Sequence, residues 1–438
     1  MSVVAGPPRH RTGAFLLLFA IAVSAAAYAS QGLGLGDALP DGFAVKTAVF
    51  AAITGAGWVA VRIMARGADA AIYPTAVVLG GLGLAMMERI MVERGQPQIA
   101  ENQAVWLAIG LLVFVATLAL VRDIRRLDAF TYTIGLAGLI LLLLPVVPGV
   151  GYEINGARLW VRFGPLTFQP AEFGRLFIVI FLASYLSAKR ELLSAGVGRL
   201  GLPRVKDLGP LLLAWGTSLA ILFLERDMGA SLLLFGVFTA MVWVATGRVS
   251  YLVIGVVLFA VGAYLGWLTL PHVQARVSYW LHALDPENVG ALGYGQLAQG
   301  WYAFATGGMV GTGLGLGSPT LIPYVGSDFI LAAFGEELGM LGVSTVLLCY
   351  LVLVARGLRI AVERHDSFEK LLAVGLTTVL GLQVFVIAGG VLRLIPLTGV
   401  PLPLVSYGGT SRVASFIALA LLVRTSAGPW IPGRKAER

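Results

Sequence analysis

The chain of 438 residues is 58% hydrophobic and only 12% charged, with a formal net charge of +8 and a mean hydropathy of +0.86. That composition describes an integral membrane protein and excludes a water-soluble globular domain. The positive charge is no nucleic-acid signature, because the basic residues are sorted by loop and form no single patch.

Windows long enough to cross about 30 Å of hydrocarbon recur about twelve times. They fall near residues 14–32, 43–65, 70–91, 103–121, 128–149, 171–187, 209–224, 229–247, 250–269, 329–355, 370–391 and 408–424. The first follows Arg9, His10 and Arg11 as a signal peptide would, but no clear small-residue cleavage site follows, so it is read as a retained helix. Basic residues collect in alternate connections: Arg62 and Arg66; Arg122, Arg125 and Arg126; Lys189 to Lys206; Arg356 to Arg364; and Arg424 to Arg438. By the positive-inside rule, both termini are then cytoplasmic. The expected fold class is an all-α polytopic membrane protein of about twelve spans, forming a single integral membrane domain over 1–438. Two outer connections are long, 149–169 and 270–327.

The glycine-dense run Ala305 to Gly317 lacks the Gly-Lys-Ser/Thr of a phosphate loop and is expected to be a turn-rich loop re-entering the membrane surface. The single Cys349 allows no disulfide framework and is expected to be a buried thiol. His272 and His282 have no carboxylate or second ligand at a recognisable metal spacing. Trp160, Trp280 and Trp301 read as interfacial anchors.

Ionisable groups in or beside the spans are costly and therefore functional candidates. Glu172 and Arg175 are three apart on one helical face and can pair. Arg158, Arg162, Glu172, Arg175, Arg226, Asp227, Asp328 and Arg393 should all lie toward the outer leaflet. Several arginines at an outer cavity suit an anionic lipid head group, since guanidinium forks match phosphate oxygens. Structural ion pairs are the competing reading for each. The run Pro396 to Ser411 packs Pro, Gly and hydroxyls between apolar segments, and backbone freed in this way must be buried by protein or face a wet cavity. Ser406 and Ser411 lack an accompanying base, so hydrogen bonds to that backbone are expected.

Asn155-Gly-Ala-Arg-Leu-Trp160, Phe168-Gln-Pro-Ala-Glu-Phe-Gly-Arg175, Arg226-Asp-Met-Gly229, Ser327-Asp-Phe-Ile330 with Gly335-Glu-Glu-Leu-Gly339, and Pro396 to Ser411 resemble, in order, the signature segments of the shape, elongation, division and sporulation (SEDS) family, the RodA/FtsW proteins. The likeness spans about 155–411, and two helices beyond the usual family core are implied within 1–149. A SEDS core over 150–424 and a cytoplasmic tail over 425–438 follow, an arrangement similar to RodA-type proteins of high-GC Gram-positive bacteria.

The resemblance implies a peptidoglycan glycosyltransferase of the plasma membrane that polymerises lipid II at its outer face beside a class B penicillin-binding protein. Its partners would be lipid II, that protein and membrane lipids, with no nucleic acid. The implied substrate-binding set is Arg158, Trp160, Gln169, Glu172, Arg175, Arg226, Asp227, Asp328, Glu336, Arg393 and Ser406. A divalent cation, Mg2+ or Mn2+, could assist the diphosphate, and no protein metal site is assigned. The position of the family's essential aspartate falls on Val289, which leaves Asp285 and Glu287 as substitute catalytic candidates. Milder departures are Ala171 for the usual Ser, Arg175 for Lys, and Arg412 where the family is apolar. Two alternatives stand beside the enzyme reading: a catalytically impaired paralogue acting as a scaffold or regulator, and a transporter of lipid-linked precursor.

Overall fold

The computed structural model describes residues 9–36, 38–154, 157–163, 166–194, 209, 212–213, 215–217, 219–220, 227–291 and 293–428. Long apolar windows fold as helices because a helix satisfies its own backbone where no water can. In chain order these are α1 (Arg9–Gly36), α2 (Phe43–Met64), α3 (Ile72–Glu93), α4 (Pro97–Leu120), α5 (Thr131–Leu143, entered through a 3-10 turn at Ile124–Phe130) and α6 (Pro170–Ser194). They continue as α7 (Met228–Thr246), α8 (Val249–Thr269), α9 (Pro271–His282), α10 (Tyr294–Gly307), α11 (Ile330–Glu363), α12 (Ser367–Val391) and α13 (Gly409–Ala427).

Ten spans among the described residues are long and apolar enough to cross a membrane. The expected span at 209–224 lies largely outside the described residues. That at 408–424 is α13, whose 19 residues reach about 28 Å. It is not one of the ten and holds two buried arginines, Arg412 and Arg424. Neither of the two long connections is a plain loop. The first folds into a three-stranded antiparallel sheet of β1 (Gly151–Ile154), β2 (Ala157–Phe163) and β3 (Leu166–Phe168). Its register sets Tyr152 opposite Trp160 and Val161 opposite Phe168. The second contains α9 and α10. Cys349 is half-buried, not fully buried as expected.

The chain forms two compact units. One comprises Met1–Asp123, Arg276–Arg356 and Val384–Arg438; the other comprises Ile124–Ala275 and Gly357–Gln383. In the second unit α6 is the buried helix, with Ile178, Val179, Leu182, Ala183 and Leu186 closed off from solvent. Asp128 and Ser184 join the 3-10 entry to that helix by a hydrogen bond, and Arg125 pairs with the buried Glu369 at 3.0 Å.

In the first unit the glycine-dense run pairs with a break in α11. Gly339 takes φ 65° and ψ −169°, which interrupts the helix. The amides of Met340 and Leu341 then donate to the carbonyls of Gly308 (2.9 Å) and Met309 (3.1 Å), while those of Thr312 and Gly313 donate to Glu336 and Glu337 carbonyls at 2.9 Å each. Broken backbone at membrane depth is tolerated because protein satisfies it. The carboxylates of the same break are also spent inward. Glu337 Oε1 accepts from Arg89 Nε at 2.8 Å and its Oε2 from Gly315 N at 3.1 Å. Arg89 also bonds Glu93 and, at 2.8 Å, the Gly317 carbonyl.

Arg89 and Glu337 are 1% and 0% exposed, so removing either partner strands a buried charge. Arg89→Met or Glu337→Leu alone is expected to cost about 3–5 kcal/mol, and the double variant less than the sum of the two, because the paired replacement strands no buried charge and leaves only the Gly315 amide and Gly317 carbonyl without these partners. Thermal melts of the detergent-solubilised variants check this; a double-variant loss equal to the sum of the single losses would refute it.

Candidate active site

The segments that lead into Asp328 and run from Arg393 to Tyr407 in the first unit hold three residues in the left-handed region. Tyr324 has φ 54°, Arg393 φ 56° and Leu404 φ 67°. Non-glycine residues there cost about 1–3 kcal/mol each, and such strain gathers at functional sites. The segments are tied by backbone and hydroxyl bonds. Tyr407 N donates to Gly326 O at 2.7 Å. Ser406 Oγ donates to Ser327 O at 2.5 Å while accepting from Leu402 N at 2.9 Å.

Asp328 lies just before α11 and is half-buried. Its loss of solvent pushes the carboxyl above the usual carboxylate range, against a hydrogen bond from Ser327 and the opposite charge of Arg276. Arg276 reaches the same place from α9 and anchors itself by donating Nη1 to Leu397 O at 2.8 Å. Gly399 stands between them with φ 76°; a Cβ there would lie 3.6 Å from Asp328 Oδ2 and 3.9 Å from both terminal nitrogens of Arg276. The point is open, since Gly399 is exposed. Beside it, Thr398 Oγ1 is buried with no hydrogen-bond partner among the described residues. A carboxyl and a guanidinium thus converge on one exposed glycine, next in the chain to a residue with an unpartnered hydroxyl.

The other candidates of this unit are engaged differently. Arg393 is no free anion binder: it donates to the Trp280 carbonyl from Nε (3.1 Å) and Nη2 (2.8 Å), and Trp280 Nε1 donates back to Arg393 O at 2.8 Å. Its guanidinium also lies over the Trp301 ring, 5.4 Å from the centroid. Trp280 is therefore a clamp for Arg393 as well as an interfacial side chain. Glu336 is buried and accepts from Ser318 N at 2.8 Å, which makes it a bracket for the glycine-dense run and not a ligand-facing acid. Ser411 Oγ, expected to bond freed backbone, is buried without a partner among the described residues.

Asp285 is held by His282, whose Nδ1 lies 2.9 Å from Asp285 Oδ2; this is a carboxylate partner that metal-spacing rules did not register. Consecutive turns fix the loop, with Asn288 N donating to Asp285 O (2.8 Å) and Ala291 N to Asn288 O (2.9 Å). Glu287 is exposed, and Val289 is half-buried.

In the second unit, Arg158 pairs with Glu153 at 3.3 Å, and both are more than half exposed. Such a pair contributes about 0–1 kcal/mol and leaves the guanidinium available. Trp160 is half-buried on β2, and Gln169 is half-buried in the link to α6. Glu172 and Arg175 form the expected ion pair, at 6% and 5% side-chain exposure. Arg175 Nη1 is buried with no hydrogen-bond partner among the described residues, so one arm of the fork is unspent. Asp227 caps α7 by accepting from Ala230 N at 2.8 Å, the role its position before a helix predicts. Arg226 lies outside the described residues.

Among the described residues no three His, Cys, Asp or Glu side chains gather closely enough to hold a metal ion.

A family model described as cell cycle protein, covering FtsW, RodA and SpoVE, matches residues 71–428. The chain belongs to this family. It is 40% identical to the peptidoglycan glycosyltransferase RodA of Mycobacterium tuberculosis H37Rv, over 99% of this chain and 93% of that protein. A solved chain from a study of structural coordination of polymerization and crosslinking by a peptidoglycan synthase complex superposes with a TM-score of 0.67 at 29% identity, covering 82% of this chain and 98% of that one. The crystal structure of Thermus thermophilus rod shape determining protein RodA gives 0.58 at 26% identity, over 84% and 99%.

The RodA/FtsW motifs held Asp328 and Ser406 in view and span Thr398 without singling it out, but do not reach Arg276. Arg276 is the sole Lys, Arg, Asp or Glu of α9, and a lone cation on an otherwise uncharged helix was its only sequence signal.

Because Asp328 binds its proton more tightly folded than unfolded, its carboxylate lowers stability at neutral pH, and the penalty disappears as pH falls through the ordinary carboxylate range. Asp328→Asn should therefore melt above the parent at pH 7.5, with the gap closing near pH 4. A gap of constant size across that range would show that the difference is not one of titration.

Proposed function

We propose that this RodA/FtsW family member is a peptidoglycan glycosyltransferase that polymerises lipid II at the outer face of the plasma membrane, working with a class B penicillin-binding protein. The observation that carries this reading is 40% identity over nearly the whole chain to a relative named for that activity. The Asp328, Arg276 and Gly399 locus supplies matching chemistry in one unit. Both termini are cytoplasmic on the bias of Arg62, Arg125, Arg190, Arg359 and the C-terminal basic residues toward alternate connections.

The reaction joins an acceptor sugar 4-hydroxyl to the donor anomeric carbon, forming a β-1,4 bond as the bond to undecaprenyl diphosphate breaks. The hydroxyl proton needs a base, and the electron pair leaves on the diphosphate. Asp328 suits the first need, because a carboxyl raised toward neutrality takes a proton more readily than an ordinary one. Arg276, fixed through Leu397, suits the second by offering fork donors to the departing phosphate oxygens. Gly399 leaves room between them. In the other unit, the unspent Nη1 of Arg175 and the exposed Arg158 offer further donors for an anionic head group.

Val289 keeps the impaired-paralogue reading in play as a specific alternative, since valine accepts no proton. Polymerisation of labelled lipid II by the purified protein, with and without its penicillin-binding partner, separates the two. Asp328→Asn is expected to reduce the rate by about 10²–10⁴-fold and Arg276→Gln by about 10²-fold or more. Asp285→Ala and Glu287→Ala should stay within a few-fold of the parent. Product from Val289→Asp alone would instead establish a family fold that binds without polymerising.

A further inference from the structure

The two helices that precede the family match, α1 and α2, enclose with α3 and α4 a cleft of about 440 Å3, within the usual range of about 300–1,000 Å3 for ligand cavities. The cleft follows from the sequence of α4, which turns Pro97, Ala100, Ala104 and Ala108 toward it and so leaves the space between helices unfilled. Its floor is closed where α1 and α3 touch: a Cβ on Gly81 would lie 2.0 Å from Ser24 Oγ.

The mouth opens sideways. Val45, Val49, Val92 and Val105 line the cleft and are 67%, 54%, 47% and 56% exposed. In helices of membrane-spanning length, such side chains face hydrocarbon, so the space connects with lipid tails and not with bulk water. One end is polar. Lys46 Nζ lies 2.6 Å from Glu88 Oε1, and Tyr28 OH donates to the same oxygen at 2.9 Å. Lys46 is half exposed, which leaves N–H donors to spare. Glu101 lines this cleft too, as does Thr47, whose Oγ1 is buried without a hydrogen-bond partner among the described residues.

We propose that this cleft is a binding site for a phospholipid with a phosphate–ammonium head group, one acyl chain entering between α2 and α4. Charge selects the head group. Lys46 is paired with Glu88, and Glu101 adds a second carboxylate to the lining of the same cleft, so a head group that is only anionic meets net repulsion, whereas a zwitterion satisfies both signs. The phosphate accepts from Lys46 and from the orphan Thr47 hydroxyl, and the ammonium pairs with Glu101. The apolar wall buries the chain at about 0.8 kcal/mol per methylene relative to water. Because a tail in the bilayer is already out of water, specificity must come from the head group and from the shape of the cleft.

Native mass spectrometry of the full chain, exchanged into detergent and titrated with dioleoyl phosphatidylethanolamine or dioleoyl phosphatidylglycerol, tests the site. The parent should retain one phosphatidylethanolamine at least tenfold more tightly than phosphatidylglycerol. Ala104→Phe, which fills the cleft, should lose that retention at least tenfold. Glu101→Gln should still bind lipid but lose the preference. Equal retention of the two lipids by the parent overturns the head-group assignment, and unchanged retention by Ala104→Phe overturns the cleft. If Ala104→Phe fails to fold, an undiminished preference in Glu101→Gln is sufficient to reject the proposal. A co-purified hydrophobic peptide displacing lipid from the parent would also reject it.

Discussion

The buried bond between Arg89 and Glu337 is the contact on which much of the first unit depends. A charge inside a membrane protein is tolerated only when paired and hydrogen-bonded. Here each partner also organises backbone: Glu337 holds Gly315, and Arg89 holds Gly317. The glycine-dense run is thereby fixed against the break at Gly339, and that break positions the start of α11 directly after Asp328. The same logic governs the proline-rich segment. Its carbonyls at Pro403, Val405 and Ser406 have donors in Tyr350, Gln103 and Arg412. Arg412, out of place by family pattern, supplies the donor that an apolar residue there could not.

Hydropathy made the helices legible because, in a bilayer, apolar length and helix are nearly the same statement. The Glu172–Arg175 pair was equally readable, since i,i+3 spacing is local. What escaped were contacts between distant segments. Nothing near Arg276 announces that it meets Asp328, 52 residues on, and nothing near Trp280 announces its exchange of hydrogen bonds with Arg393. The sheet at 151–168 was missed for a different reason. Its strands are short and mixed in polarity, so neither period dominates, and only the pairing of Tyr152 with Trp160 reveals the fold.

Several residues singled out by motif make hydrogen bonds that shape the fold. Glu336 brackets a loop, Asp227 caps a helix, Ser406 ties two turns and Arg393 locks α9. Each is indispensable to shape, which is reason enough for a motif to contain it. Groups with unspent capacity are fewer: one arm of Arg175, the hydroxyl of Thr398 and the carboxyl of Asp328. A ligand can gain little from a donor already satisfied, because it must first break an equivalent bond.

That distinction bears on Val289. Loss of a carboxylate from one loop does not abolish proton transfer if another carboxyl, poised nearer neutrality, is available elsewhere in the same unit. Asp285 is engaged by His282 and by the turn to Asn288. Glu287 is exposed on the same loop, and no arginine is paired with it among the described residues. Asp328 differs from both in having lost solvent while facing an arginine beside an open glycine. The two influences on Asp328 oppose each other: burial disfavours its charged form, and Arg276 favours it. That opposition, beside an exposed glycine that leaves room for a ligand, is what sets this carboxyl apart from the two on the 285–289 loop.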